Sequence, residues 1–304
     1  MMQEYANGYD LAVLLKARQQ IRQEEARIII KQLVSGIKDV WDLGIIHRDM
    51  KLANILLHFP DKPELESLTK QHKRAFLQTV DLTRIEFQVK ISDFGLSTIL
   101  DGSNTNLSIC GTPLYSSPQL LKKRGYSAKV DTWALGVMVY EMLVGVTPFH
   151  SFEMKDLIAK INDGRYKVSL KSEPIAVQTC LFMVQCMQMN EGDRIPVEEL
   201  TEHPFIEGQL MSQALTPLDV LAFNEDMQRS NKHYSGVSNT GTSAMTSRFE
   251  DTVILDTDVI LTTKASEQVR ILLGQLVNST GFTEANFDMT ASTYFNKHYD
   301  ASMI

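Results

Sequence analysis

Asp49, Lys51 and Asn54 stand within six residues of one another, and Asp93-Phe94-Gly95 follows 44 positions after Asp49. A carboxylate can accept a hydrogen bond from a hydroxyl and orient it. A lysine two residues away sets a cation beside any anion held there. Carboxylate and carboxamide oxygens are the ligands that a hard divalent cation takes. Taken singly, these residues read as a turn aspartate, a surface lysine, a capping asparagine and a turn-forming Asp-Phe-Gly. Taken as an ordered set, they read as a site.

Elements able to position that set are legible around it. In residues 23–40, Ala26, Ile30, Leu33, Ile37 and Val40 recur at steps of three and four, which lays an apolar stripe along one helical face. Gly44 stands where such a helix would stop. Asn54-Ile55-Leu56-Leu57 has strand length, and Val89-Lys90-Ile91 offers a second strand just before Asp93. Residues 130–143 are apolar nearly all round apart from Asp131 and Glu141, a pattern that belongs in the middle of a domain. Further helical patterns occur at 154–161, 175–189 and 197–201. Residues 58–88 are polar, with Pro60, Pro63 and clustered charge at Lys70, His72, Lys73 and Arg74. They read as an insertion, part helix and part disordered. Residues 224–248 are rich in Asn, Ser, Thr and Gly and read as linker or disorder. Two apolar clusters follow, 253–262 and 269–277, too few to bury a core alone.

The chain has 304 residues, 43% apolar and 22% charged, which excludes a wholly disordered protein. Its net charge of −7 argues against nucleic acid as the main partner. The apolar runs fall short of the ~20 residues that a membrane span needs. No signal peptide is visible in Met1-Met2-Gln3-Glu4-Tyr5, and Cys110, Cys180 and Cys186 show no metal or disulfide spacing. A cytoplasmic protein is expected.

The sequence His47-Arg48-Asp49-Met50-Lys51-Leu52-Ala53-Asn54, followed by Asp93-Phe94-Gly95, resembles the catalytic loop and metal-binding motif of the protein kinases. Gly111-Thr112-Pro113, Asp131-Thr132-Trp133…Gly136 and Arg194…His203-Pro204-Phe205 come in that family's order. Residues 4–8, 44–57 and 109–115 look closest to its autophagy-initiating Ser/Thr branch, and the likeness covers roughly residues 1–207. It implies a mainly α large lobe with short β-hairpins near the active site, and phosphoryl transfer from ATP with Mg²⁺ to protein Ser/Thr substrates. On that resemblance Asp49 orients the acceptor hydroxyl, Lys51 sits by the transferring phosphate, and Asn54 and Asp93 ligate Mg²⁺. The backbone of Glu4 and Ala6 would face adenine, beyond a gatekeeper at Gln3, with Leu56 as its floor. Asp10 would bond the ribose, cap the helix that begins at Leu11, or do both. His47 and Phe94 would stack, Asp131 would accept backbone N–H bonds from the catalytic loop, and Ser108, with Thr105 and Ser103 nearby, resembles a regulatory phosphosite for Arg48. Ala53 and Leu96 imply serine acceptors without a strong demand for an upstream arginine.

Three departures accompany the resemblance. Only three residues precede the hinge position, so residues 1–10 read as a hinge remnant, with the small lobe expected to be absent and ATP binding by the chain weak. Ser117-Pro118-Gln119 stands where the family has Ala-Pro-Glu, leaving Arg194 a neutral partner. The 44-position spacing from Asp49 to Asp93 is long, which the 58–88 insertion accounts for. The expected organisation is a large lobe at 11–208 and a poorly ordered tail at 209–304, open to a regulatory partner. The alternative is a non-catalytic, pseudokinase-like interaction module.

Overall fold

The computed structural model describes residues 4–99, 111–168, 175–208 and 259–262. Nine α-helices and six short strands lie among them. The centre is α5 (Lys129–Val144), whose side chains are buried on every side, including Leu135, Val137, Met138, Val139 and Met142. Each such aliphatic side chain contributes roughly 1.5–3 kcal/mol when removed from water. The helix ends at Gly145, whose left-handed backbone returns its N–H to the Glu141 carbonyl.

Two helices wrap α5. Helix α2 (Gln23–Asp42) presents Ala26, Ile29, Ile30, Leu33, Val34 and Ile37 as its buried stripe and stops before Gly44, as the periodicity requires. Helix α7 (Val177–Cys186) covers another side with Leu181, Phe182, Met183 and Val184. Ahead of them, α1 (Leu11–Arg18) is capped by Asp10, whose carboxylate accepts from the Val13 amide at 2.9 Å.

The strands are short and paired near the predicted site. Strands β1 (Ile45–Ile46) and β4 (Thr98–Ile99) pair antiparallel, as do β2 (Ile55–His58) and β3 (Gln88–Ile91). In β2, Ile55 and Leu57 face the core while Leu56 and His58 face away, the period-2 outcome of an apolar run lying on a helical layer.

The insertion is more built than the sequence suggests. It forms α3 (Lys70–Thr79), and Leu65, Leu77, Leu82 and Phe87 enter the main core. Arg18 donates to Glu25 at 2.9 Å and to the carbonyls of Leu77 (2.6 Å) and Val80. The Leu82 amide donates to Glu25 at 3.0 Å, and Arg22 reaches Asp81 at 2.6 Å. A segment that reads as partly disordered is thereby tied down by a charge network, in which residues 18 to 25 serve residues 77 to 82. The remaining elements are α4 (Pro118–Leu121), α6 (Met154–Asp163), α8 (Val197–Leu200), α9 (Pro204–Glu207), β5 (Arg165–Val168) and β6 (Val259–Thr262). β6 gives the expected poorly ordered tail a strand, paired antiparallel with β5. Among the described residues no helix is long and apolar enough to cross a membrane.

Candidate active site

Asp131 organises the loop that leads into the site. It sits in the first turn of α5, fully buried, and accepts from the amides of His47 and Arg48 at 2.9 Å each and from the Trp41 indole at 3.4 Å. Burial raises its pKa, against the pull of those N–H donors. Arg48 takes a left-handed backbone (φ 66°) there. Its guanidinium donates to the Leu96 carbonyl at 2.6 Å and to the Tyr126 hydroxyl at 2.9 Å. His47 Nε2 meets the Ser92 carbonyl at 3.0 Å, and its Nδ1 accepts the Asp49 amide at 3.3 Å. Its ring meets Phe94 at 4.9 Å edge to face, so the two rings named by the motif are in contact but not stacked.

Asp49 is the hub. Its Oδ2 accepts from Lys51 Nζ at 2.7 Å and from Asn54 Nδ2 at 3.2 Å; its Oδ1 accepts from the Thr112 amide at 2.9 Å and the Thr112 hydroxyl at 3.1 Å. Lys51 also donates to the Thr112 hydroxyl at 2.9 Å. Burial pushes the Asp49 carboxyl up, yet Lys51 and Thr112 outweigh it and hold the pKa below the ordinary value. Asp49 is therefore an ionised acceptor at neutral pH. Thr112 is a partner that sequence reading did not assign, because 63 residues separate it from Asp49 and no local spacing signals the contact. Gly111 explains how Thr112 gets there: its φ is 85°, and a Cβ would lie 2.6 Å from the Arg48 carbonyl oxygen.

Asn54 is buried, with its amide nitrogen on the Asp49 carbonyl oxygen (2.8 Å) and carboxylate, which turns its oxygen the other way. Ser92, just before Asp93, donates its N–H and hydroxyl to the Asn54 carbonyl at 2.9 Å each. Asp93 is exposed, left-handed (φ 60°), and caps its own turn by accepting the Gly95 amide at 3.2 Å. One exposed carboxylate and one oriented carboxamide fit Mg²⁺, which keeps several waters and completes its shell with substrate phosphates. No cluster of three His, Cys, Asp or Glu that could hold a metal by itself occurs among the described residues.

The residues assigned to the nucleotide base lie along one edge. The Gly8 amide donates to the Leu57 carbonyl and the Leu57 amide to the Tyr9 carbonyl, each at 3.0 Å, and Asp10 bridges to Leu56. Asn7 is buried and clamps the Phe59 backbone on both sides, at 2.8 Å each way. Glu4 pairs with Lys90 of β3 at 3.0 Å, and Ala6 lies between them and Asn7. Glu4, Asp10 and Leu56 thus lie along the outer side of the β2–β3 pair, with Leu56 facing away from the core. Of the two readings of Asp10, the structure contains the helix cap. Gln3, Ser103, Thr105 and Ser108 lie outside the described residues.

Farther from the hub, Arg194 is fully buried. It donates to the carbonyls of Gln188 (2.9 Å) and Lys129 (2.8 Å) and to the Gln119 side-chain oxygen (2.9 Å), and it lies over the Trp133 ring. Burial lowers its pKa to about 10. Gln119 does supply the neutral bond expected of it. Tyr115 donates to Glu141 beneath the Thr112 segment, a pair that the sequence did not suggest.

The protein kinase domain model matches residues 1–206. The chain is 27% identical over 223 residues to human serine/threonine-protein kinase ULK1, covering 73% of this chain and 20% of that protein. Human NUAK family SNF1-like kinase 1 is 30% identical over 205 residues, covering 67% of this chain and 26% of that protein. DNA damage response protein kinase DUN1 of Saccharomyces cerevisiae is 30% identical over 222 residues, or 72% of this chain and 41% of that protein. The chain therefore spans well under half the length of these relatives.

Proposed function

This chain belongs to the protein kinase family, and on that premise we propose that it transfers the terminal phosphoryl group of ATP to serine, and less readily to threonine, hydroxyls of proteins. The observation that carries this reading is the Asp49 hub. Phosphoryl transfer requires positioning and charge neutralisation rather than covalent help. Asp49, ionised and held on both oxygens, accepts the acceptor hydroxyl's hydrogen bond and aims its oxygen in line. Lys51, bridging Asp49 and Thr112, keeps a positive charge beside the transferring phosphate. Asn54 and Asp93 hold Mg²⁺, which supplies neutralisation of the phosphate oxygens. Asp131 acts through the loop: by fixing the His47 and Arg48 amides it fixes where Asp49 points. The Glu4–Ala6 backbone and Leu56 receive the adenine.

Finer features of the proposal rest on single residues. Ala53 leaves no carboxylate beside Asn54 to select an upstream arginine, and Leu96 supports serine over threonine. Residues 4–8 and 44–57 support placement near the autophagy-initiating branch, and the match to ULK1 is in keeping with it. Relatives from other Ser/Thr kinase groups match at similar identity, so the comparisons support the Ser/Thr kinases as a whole. The test follows transfer of labelled γ-phosphate to a serine/threonine peptide array while Mg²⁺ is titrated. Asp93→Ala and Asn54→Ala should each abolish transfer or shift the Mg²⁺ requirement at least tenfold, without loss of the folded state. Unchanged Mg²⁺ dependence in both variants would refute the ligand assignment. Absence of any transfer by the unaltered chain would favour the non-catalytic interaction module.

A further inference from the structure

Strand β5 is an unusual edge. Tyr166 is buried among aromatic rings, 5.6 Å from Tyr140 and 5.7 Å from Phe149, and Val168 is also buried, so the strand is anchored in the core by alternate residues. Between them the backbone offers a row of N–H and C=O groups, and an unpaired row of this kind is a template for another strand. Among the described residues its strand partner is β6, which comes from the far C-terminal region and also lies against α7. The register sets Arg165 opposite Thr262, Tyr166 opposite Leu261, Lys167 opposite Ile260, and Val168 opposite Val259. The alternation on the two strands agrees. The register places the aliphatic residues Val259 and Leu261 opposite the buried pair Val168 and Tyr166, and Thr262 opposite exposed Arg165.

We propose that Arg165–Val168 is a strand-addition site of the lobe, and that its occupant is residues 259–262 of the same chain. Strand addition draws affinity from main-chain hydrogen bonds and selectivity from alternate side-chain positions. The ligand class is therefore an extended peptide with aliphatic residues two apart. The site lies directly after α6, whose neighbour α4 follows the Thr112 segment. Occupancy would thus tie the C-terminal region to the side of the lobe that carries α4 and α6.

Amide hydrogen exchange on the full chain tests this. In the unaltered protein the β5 amides should be protected, and Leu261→Pro should speed their exchange about tenfold or more while the α5 amides stay protected. Leu255→Pro, outside the strand, should change neither. Adding a synthetic peptide of residues 256–265 (DTDVILTTKA) to the Leu261→Pro chain should restore β5 protection. Equal β5 exchange in the unaltered and Leu261→Pro chains would overturn the proposal, as would a peptide that restores nothing. Protection that rises with protein concentration would overturn the same-chain occupant, because a second copy would then supply the strand.

Discussion

Asp131 and Glu25 are both 1% exposed, and each holds a stretch of chain in place, by different physics. Around Asp131 the donors are two backbone amides and an indole; around Glu25 they are the guanidinium groups of Arg18 and Arg22 and the Leu82 amide. Burial pushes both carboxyls up. At Asp131 mainly N–H dipoles, joined by a coulombic pull from His47, oppose it and the pKa stays raised; at Glu25 the arginines and the amide outweigh it and the pKa is lowered. The loop that carries Asp49 is held mainly by neutral donors at fixed positions, a clamp that salt screens little. The insertion is held by a charge clamp, part of which is screened by salt and lost in acid.

The largest effect should come from breaking the neutral clamp. Asp131→Ala leaves the His47 and Arg48 amides buried without acceptors, at a cost of about 1–3 kcal/mol each. Denaturant unfolding should show a loss of several kcal/mol, with the loop amides exchanging freely. A loss under 1 kcal/mol would show that the loop is held by something else.

Next comes the charge clamp. Glu25→Gln should cost about 2–3 kcal/mol, since charge-assisted bonds to a half-buried arginine are lost. It should loosen residues 77–82 and leave 47–49 untouched. Acid should act the same way. A carboxyl with a lowered folded pKa contributes stability that is present above its unfolded value, near 4.5, and lost as pH falls through the folded value. Asp131, with a raised folded pKa, binds its proton more tightly when folded, so acid does not withdraw its contribution. Exchange at Leu82, corrected for intrinsic rates, should therefore rise below pH 5 before exchange at Arg48 does. The reverse order would contradict the comparison.

The smallest effect concerns a third buried charge. Arg194 donates only to neutral oxygens among the described residues and lies over the Trp133 ring, with the Glu191 charge acting on it through space. Gln119→Glu should stabilise by about 0.5–1 kcal/mol: a charged bond to Arg194 is gained, and the Gln119 donation to the Met189 carbonyl (2.9 Å) is lost. A rise in melting temperature of a few degrees checks it, and a fall would mean that the Met189 bond matters more.

What was legible in the sequence follows a physical divide. The stripe of α2 and the apolar surround of α5 are written at periods of three to four residues, and both helices appear within two residues of the expected bounds. The ordered motif set was legible for the same reason: Asp49, Lys51 and Asn54 are neighbours in sequence before they are neighbours in space. Contacts between remote residues were not legible. Nothing local links Thr112 to Asp49, Arg18 to Leu77 and Val80, or Tyr115 to Glu141. The insertion looked loose because the groups that hold it, Arg18, Arg22 and Glu25, lie 57 to 62 positions earlier and grip its backbone at Leu77, Val80 and Leu82 and the Asp81 carboxylate. The strand pairing of β5 with β6 spans more than 90 residues and could be seen only in the fold.

The central claim is that Asp49 is the acceptor that orients the substrate hydroxyl. The direct measurement compares phosphoryl transfer to a serine peptide by the unaltered chain and by Asp49→Asn, at saturating MgATP, with matched melting temperatures. Asparagine can still accept from Thr112 but brings no negative charge to the hydroxyl or to Lys51. Transfer should fall about 10²–10³-fold at nearly unchanged nucleotide affinity. Equal rates in the two proteins, both folded, would contradict the account.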